Sequence, residues 1–149
     1  GKAFFRQIVD QFSQDAEFCA LRLDNRPVSA ALLIHGHFVT EVPSASSLRE
    51  YNQTNANMLM YWHLLERAIE RGQQTFDFGR SSMDSSTYRF KKQWGAQPNP
   101  TCWQYYVRRG SATAMRPDNR GNQRLIRIWQ RLPVAMTRVL GPIVAKGIP

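Results

Sequence analysis

The sequence has little from which to build a disulfide framework or a metal centre. Its 2 cysteines, Cys19 and Cys102, lie far apart and each sits among strand-like residues, so buried, reduced thiols and a reducing compartment are expected. The 3 histidines offer no ligand spacing. His35 and His37 alternate in a strand and His63 falls on a helix, while neither Cys-x-x-Cys nor His-Glu-x-x-His occurs, so no metal is expected. No apolar run approaches the roughly eighteen residues of a membrane-spanning helix, and Gly1 to Arg6 lacks the three regions of a signal peptide. Acid is scarce as well, with 11 Asp+Glu against 20 Lys+Arg and a net charge of +9.

What is present is 149 residues, 42% of them hydrophobic and 21% charged, which suffices for one domain with a real core and excludes disorder as a description of the whole. The chain opens on Gly1 and enters an amphipathic pattern within a few residues, as expected of a C-terminal piece of a longer protein. Charge is unevenly spread. From Gly110 onward stand Arg116, Arg120, Arg124, Arg127, Arg131, Arg138 and Lys146 against the single Asp118, so a mildly basic domain over residues 1–109 is expected to precede a strongly basic tail over 110–149.

Periodicity supplies the elements. Phe4, Phe5, Ile8, Val9 and Phe12 recur at helical spacing over Lys2–Gln14. Strands are expected over Glu17–Leu23, Val28–Ile34 and Phe38–Val42, joined by the turn cluster Asp24-Asn25-Arg26-Pro27 and by His35-Gly36-His37. Pro43–Gln53 reads as a polar loop, after which Thr54 or Asn55 caps a helix whose apolar stripe is Met58, Leu59, Trp62, Leu65 and Ile69, ended by Gly72. A strand over Thr75–Gly79, a loop over Ser81–Ser86, a helix over Thr87–Trp94 stopped by Gly95 and Pro98, and a strand over Thr101–Val107 complete the domain. The expected fold class is α/β, a mixed, mostly antiparallel sheet flanked by helices.

Three stretches carry a resemblance: Asn57-Met58-Leu59-Met60-Tyr61-Trp62 opening a helix, Phe76-Asp77-Phe78-Gly79-Arg80-Ser81, and Thr87-Tyr88-Arg89-Phe90-Lys91-Lys92-Gln93-Trp94-Gly95-Ala96. Together with the element order they resemble the C-terminal half of FemAB-like transferases, within the GNAT (acyl-CoA N-acyltransferase-like) fold. The likeness is strongest to FemAB-related proteins of exosortase and exopolysaccharide systems and covers about Ala20–Val107. It implies the second domain of a tandem-domain enzyme, with a missing N-terminal domain as partner. It also implies transfer of an acyl or aminoacyl group to an amine or hydroxyl of a polysaccharide or peptidoglycan-type acceptor, in the cytoplasm or at the inner face of the bacterial membrane. No permanently bound cofactor is implied, only an activated donor, aminoacyl-tRNA or acyl-CoA. The segment Ser47–Ala56 has no glycine, and bulky side chains there oppose the close backbone approach a pyrophosphate needs, which weighs toward aminoacyl-tRNA. An acetyl-CoA-dependent N-acetyltransferase and a non-catalytic binding domain of the same fold stay open.

Candidate residues follow from chemistry. Alternation puts Thr75, Asp77 and Gly79 on one strand face, where a half-buried Asp77 carboxylate beside Arg80 could serve as base, although such pairs are also structural. Gly79-Arg80-Ser81 leaves the carboxyl end of a strand, where open α/β sheets place ligands, and the Arg80 fork suits phosphate or carboxylate unless it pairs with Asp77 or Glu66. Tyr88 and Lys91 share a helix face, with Lys92 one turn beyond Tyr88. The resemblance implies that the lysine after Phe90 contacts tRNA phosphate, against the alternative of a solvated basic face. Asn57 and Tyr61, at the start of a helix, could bind a carbonyl or sugar, or simply belong to the core. Neither Ser81 nor Cys102 has a His and an acid at nucleophile spacing, so direct attack in a ternary complex is expected.

In the tail, Leu125, Ile128, Trp129 and Leu132 oppose Arg120, Arg124, Arg127 and Arg131, a basic amphipathic helix broken at Pro133, and a second short piece is ended by Gly141-Pro142. Docking on an anionic membrane surface, on tRNA, or on the missing domain each suit this pattern.

Overall fold

Asp24 and Asn25, at φ 48° and 62°, form a two-residue turn that closes Leu23 against Arg26 and sets the register of the first hairpin. A computed structural model describes residues 2–102, 104, 106–108 and 120–145. One unit spans Lys2–Pro98 and a second begins at Asn99. The first holds α1 (Lys2–Gln11), β1 (Ala16–Leu23), β2 (Arg26–His35), β3 (Val39–Ser47), α2 (Ala56–Glu70), β4 (Thr75–Asp77) and α3 (Ser86–Gln93). The sheet order is β1-β2-β3-β4, antiparallel except for the parallel pair β3/β4. This is the expected mixed α/β class.

α2 packs on the sheet over a core of Cys19, Ala31, Leu33, Val42, Met60 and Leu64. Its buried residues are Ala56, Met60, Leu64 and Ala68. The stripe expected from the sequence lies largely outside: Trp62 is 56% and Ile69 73% exposed, and Met58 and Leu59 are exposed too. Fit decides this, because alanines at either end let the helix approach the sheet while Met60 and Leu64 fill the gap between them.

Further differences concern element ends. β3 runs on to Ser47 where a loop was expected from Pro43. Between the pairs Leu32↔Ser44 and Ile34↔Glu41, β3 carries one extra residue, a bulge that accommodates a proline with no N–H to give. Asn55 does not cap α2 with its side chain; it adopts φ 55° at the junction instead. Ser85 caps α3, accepting the Tyr88 N–H at 3.1 Å, so that helix starts at Ser86. Gly72 and Gly95, at φ 70° and 78°, end α2 and α3 as their sequence positions suggest.

In the second unit a strand was expected over Thr101–Val107; among its described residues Thr101, Cys102, Gln104, Tyr106 and Val107 have no regular structure, and Trp103 and Tyr105 lie outside the described residues. Pro98 and Pro100 just ahead withhold backbone donors from any ladder there. Cys102 is exposed rather than buried, whereas Cys19 is buried and burial pushes its thiol up; both are free. Residues 109–119 and 146–149 also lie outside the described residues, with the expected boundary and the end of the tail. α4 (Arg120–Arg131) and α5 (Val134–Ala145) flank Pro133, and α5 continues through Gly141-Pro142 rather than ending there. A helix can pass a proline at the cost of one backbone bond and a local bend.

Candidate functional site

β4 pairs with β3 only from Val39↔Thr75 to Glu41↔Asp77. At the Val42-Pro43 bulge the two strands part, and β3 alone continues to Ser47. Along Pro43–Ser46 the side chains are exposed, and among the described residues no strand covers the β4-side edge. An open backbone edge thus lies between the carboxyl ends of the sheet's parallel strands. That is where α/β sheets gather ligands.

One wall of the opening is the turn after β4. Gly79 sits at φ 72°, and a Cβ there would stand 3.8 Å from the Val42 carbonyl oxygen. The left-handed backbone, more than space, requires glycine here. The Asp77 Oδ1 accepts the Gly79 N–H at 2.7 Å, which fixes that turn. Asp77 is exposed, not half-buried as the strand pattern suggested, because β4 ends with it and, among the described residues, none covers that face of the strand. Lys91 reaches back from α3 and donates from Nζ to the carbonyl oxygens of Gly79 at 2.8 Å and Arg80 at 3.0 Å. Burial lowers the Lys91 pKa, with the Asp77 charge opposing. Its ammonium is therefore committed to the turn rather than held out to solvent with Tyr88. The Ser81 hydroxyl beside it is buried with no hydrogen-bond partner, and the Arg80 side chain is exposed.

Tyr61 joins this group through aromatic packing. Its ring stacks on Phe78 at 5.8 Å and meets Phe90 edge-on at 4.9 Å and Trp94 at 6.5 Å. Burial raises its phenol pKa. The ring is a wall that ties α2 to the segment after β4 and to α3. Tyr88 stands apart, its ring under the Lys92 Nζ at 5.8 Å, the i, i+4 relation read from the sequence.

Asn57, one turn before Tyr61 on the same side of α2, belongs to a second group at the far end of β3. Its Oδ1 accepts from the Ser47 hydroxyl at 3.4 Å, and Ser47 Oγ lies 2.7 Å from Ser29 Oγ, which itself donates to the Ser46 carbonyl at 3.2 Å. This hydroxyl chain holds the end of β3 against α2. Sequence reasoning missed it, as it missed the bulge, although a proline inside the alternating stretch after Val39 was a usable signal. Before α2, residues 49–54 wind into a 3-10 helix with Asn55 N–H bonded to the Asn52 carbonyl at 3.3 Å. Arg26 crosses from the hairpin to Glu50 at 3.0 Å and to the Tyr51 hydroxyl at 3.3 Å. The segment is a wound, side-chain-bearing ridge, not an open glycine turn.

At the opposite end of the sheet lies an ionic cluster with no part in this opening. The Glu17 carboxylate takes the Arg67 fork at 2.8 and 2.9 Å and the Arg71 Nε at 2.7 Å. Those guanidiniums hold Glu17 at about 2 despite burial. Buried His35 bonds the Thr40 hydroxyl at 2.8 Å through Nδ1, and burial lowers its pKa. Among the described residues no group of three or more His, Cys, Asp or Glu side chains is placed to hold a metal ion.

A mixed sheet that opens between its parallel strands, with one helix packed across it, is the architecture of an acyltransferase. The chain belongs to the acetyltransferase (GNAT) domain family, whose model matches residues 1–92. Solved structures of similar fold include a ribosomal-protein-alanine N-acetyltransferase from Brucella melitensis biovar Abortus 2308, at 14% identity and TM-score 0.53 over 72% of this chain and 77% of that one. Another is the aminoglycoside 6'-N-acetyltransferase AAC(6')-Ig from Acinetobacter haemolyticus, at 9% identity and TM-score 0.57 over 74% and 83% of the two chains. AAC(6')-Iy bound to a bisubstrate analogue, CoA-S-monomethyl-acetylneamine, is similar at 11% identity and TM-score 0.59 over 72% and 78%. No curated protein matches the chain.

Proposed function

We propose that this chain transfers an acyl or aminoacyl group to an amine or hydroxyl of a cell-envelope or exopolysaccharide precursor, by direct attack in a ternary complex. The observation that carries the reading is the open edge of β3 beyond the Val42-Pro43 bulge. Unpaired backbone N–H and C=O groups along such an edge are hydrogen-bond partners for the polar groups of either donor. The donor carbonyl then lies near the end of β4, where Asp77 and Arg80 stand. The acceptor nitrogen or oxygen bonds to that carbonyl carbon, the ester or thioester bond to the carrier breaks, and the acceptor proton leaves to Asp77 or to water. No protein nucleophile is required, in keeping with a buried Ser81 hydroxyl.

The FemAB-like resemblance favours aminoacyl-tRNA as donor, and the glycine-free, wound segment at residues 49–54 supports it, since its side chains keep a pyrophosphate from the backbone. The second reading, acyl-CoA, has its support in the CoA-derived analogue held by a similarly folded enzyme. Titration of the full-length protein with acetyl-CoA and with charged and uncharged tRNA, at low and moderate salt, separates them. Preference for charged over uncharged tRNA supports aminoacyl transfer. Saturable binding of acetyl-CoA transfers the donor role to CoA, and binding of neither leaves an unusual donor or a non-catalytic domain.

A further inference from the structure

The second unit carries an exposed surface that is at once apolar and cationic. α4 and α5 meet at Pro133, where the Leu132 N–H bonds the Trp129 carbonyl at 3.2 Å and the Met136 N–H bonds the Pro133 carbonyl at 3.0 Å. The helices fold back on one another: a Cβ on Gly141 would lie 3.9 Å from Trp129 Cζ2, an ordinary van der Waals distance, so the indole rests against α5 at this position. Trp129, Leu132, Thr137 and Gly141 are half-buried in this pair. Outside it, Leu125, Ile128, Val139 and Ile143 are between 60% and 70% exposed. Between Arg120 and Ala145 the sequence holds five arginines and no acidic residue or lysine. Arg124, Arg127 and Arg131 are exposed and share one face of α4 at i, i+3, i+7.

We propose that the α4–α5 pair lies in the interface of an anionic phospholipid bilayer, its apolar side chains among the upper acyl chains and its arginines among the phosphates. Length excludes crossing. Each helix has 12 residues, about 18 Å at 1.5 Å per residue against roughly 30 Å of hydrocarbon, and no described helix is long and apolar enough to span a membrane. Charge complementarity selects the occupant. A nucleic acid would use the arginines but leave the four large aliphatic side chains in water, and a neutral apolar partner would use those and leave the arginines unpaired. An anionic bilayer takes both, with each arginine near the surface adding to the attraction and falling away with salt.

The test is flotation of the 149-residue chain with vesicles of phosphatidylcholine alone and of phosphatidylcholine mixed with phosphatidylglycerol. Binding to the mixed vesicles, weakened by salt, is expected. The double substitution R124Q/R131Q should weaken it roughly thirtyfold and reduce the preference for anionic lipid by the same factor. V139S/I143S, which leaves the charge unchanged, should weaken it roughly tenfold or more. All four positions are exposed, so the helical circular dichroism signal should stay as in the parent chain. Absence of binding to mixed vesicles overturns the proposal, as does parent-like binding by V139S/I143S. Binding of tRNA by a chain that ignores vesicles would instead make the pair a nucleic-acid arm.

Discussion

The Lys91 ammonium lies 2.8 Å from the carbonyl oxygen of Gly79, across twelve residues of sequence, and so joins α3 to the turn that forms one wall of the opening. A lysine that seemed free to grip phosphate is engaged with backbone. Lys91→Met should therefore loosen the Gly79–Ser81 turn and cost about 1–2 kcal/mol, the range for a partly exposed hydrogen bond from a charged donor. Faster amide hydrogen exchange confined to residues 79–82, in a chain that stays folded, is the expected signature. Unchanged protection would remove Lys91 from the turn's support.

Asp77 has two separable roles. Its Oδ1 holds the Gly79 N–H at 2.7 Å, and its other oxygen is available to a proton. Asp77→Asn keeps an acceptor for the amide but no base, whereas Asp77→Ala removes both. If Asp77 takes the acceptor's proton, both variants lower kcat by about 100-fold or more. If it only shapes the turn, Asn restores kcat and Ala alone is impaired, with KM carrying part of the effect.

Acid should unfold the domain through Glu17. Its pKa in the folded state, about 2, lies below the ordinary 4.5, so the stabilisation is full above the ordinary value and is lost as pH falls from there toward 2. Buried His35 acts in the same sense at higher pH: its folded pKa lies below 6.5, so the unfolded chain binds the proton first and stability declines as pH drops below that value. Denaturant titrations at stepped pH should show both declines. Glu17→Gln should cost on the order of 2–3 kcal/mol at neutral pH and flatten the lower one.

The side of α2 that faces the sheet can be tested with two substitutions. Leu64 is fully buried, so Leu64→Ala should cost about 2–5 kcal/mol. Trp62, 56% exposed, should tolerate Ala within about 0.5 kcal/mol despite its size. Equal losses in urea denaturation would mean that both helix faces are covered.

Much of this molecule was legible in the chain. Alternation and turn chemistry placed the hairpin at Asp24-Asn25, the helix between Asn55 and Gly72, and the break at Pro133, because each depends on neighbours within a few residues. The order of elements and the motif around Phe76–Ser81 led to the GNAT fold, which the family model bears out. Apolar content could not choose between the faces of α2, since both are apolar; contact with the sheet chose. The described residues around Cys102 have no regular structure for a related reason. Aromatic and β-branched residues favour a strand only where a neighbouring ladder accepts it.

By itself the sequence determined the local elements, the charge of the tail and the fold class, all consequences of short-range periodicity and composition. Only the tertiary structure decided where β3 and β4 part, that Lys91 is spent on Gly79 and Arg80, that Tyr61 is enclosed by Phe78, Phe90 and Trp94, and that Ser29, Ser47 and Asn57 meet. Those relations join residues up to thirty-six positions apart, Glu41 to Asp77. They arise when β3 bulges and α2 settles on the sheet, and no pattern confined to one segment encodes them.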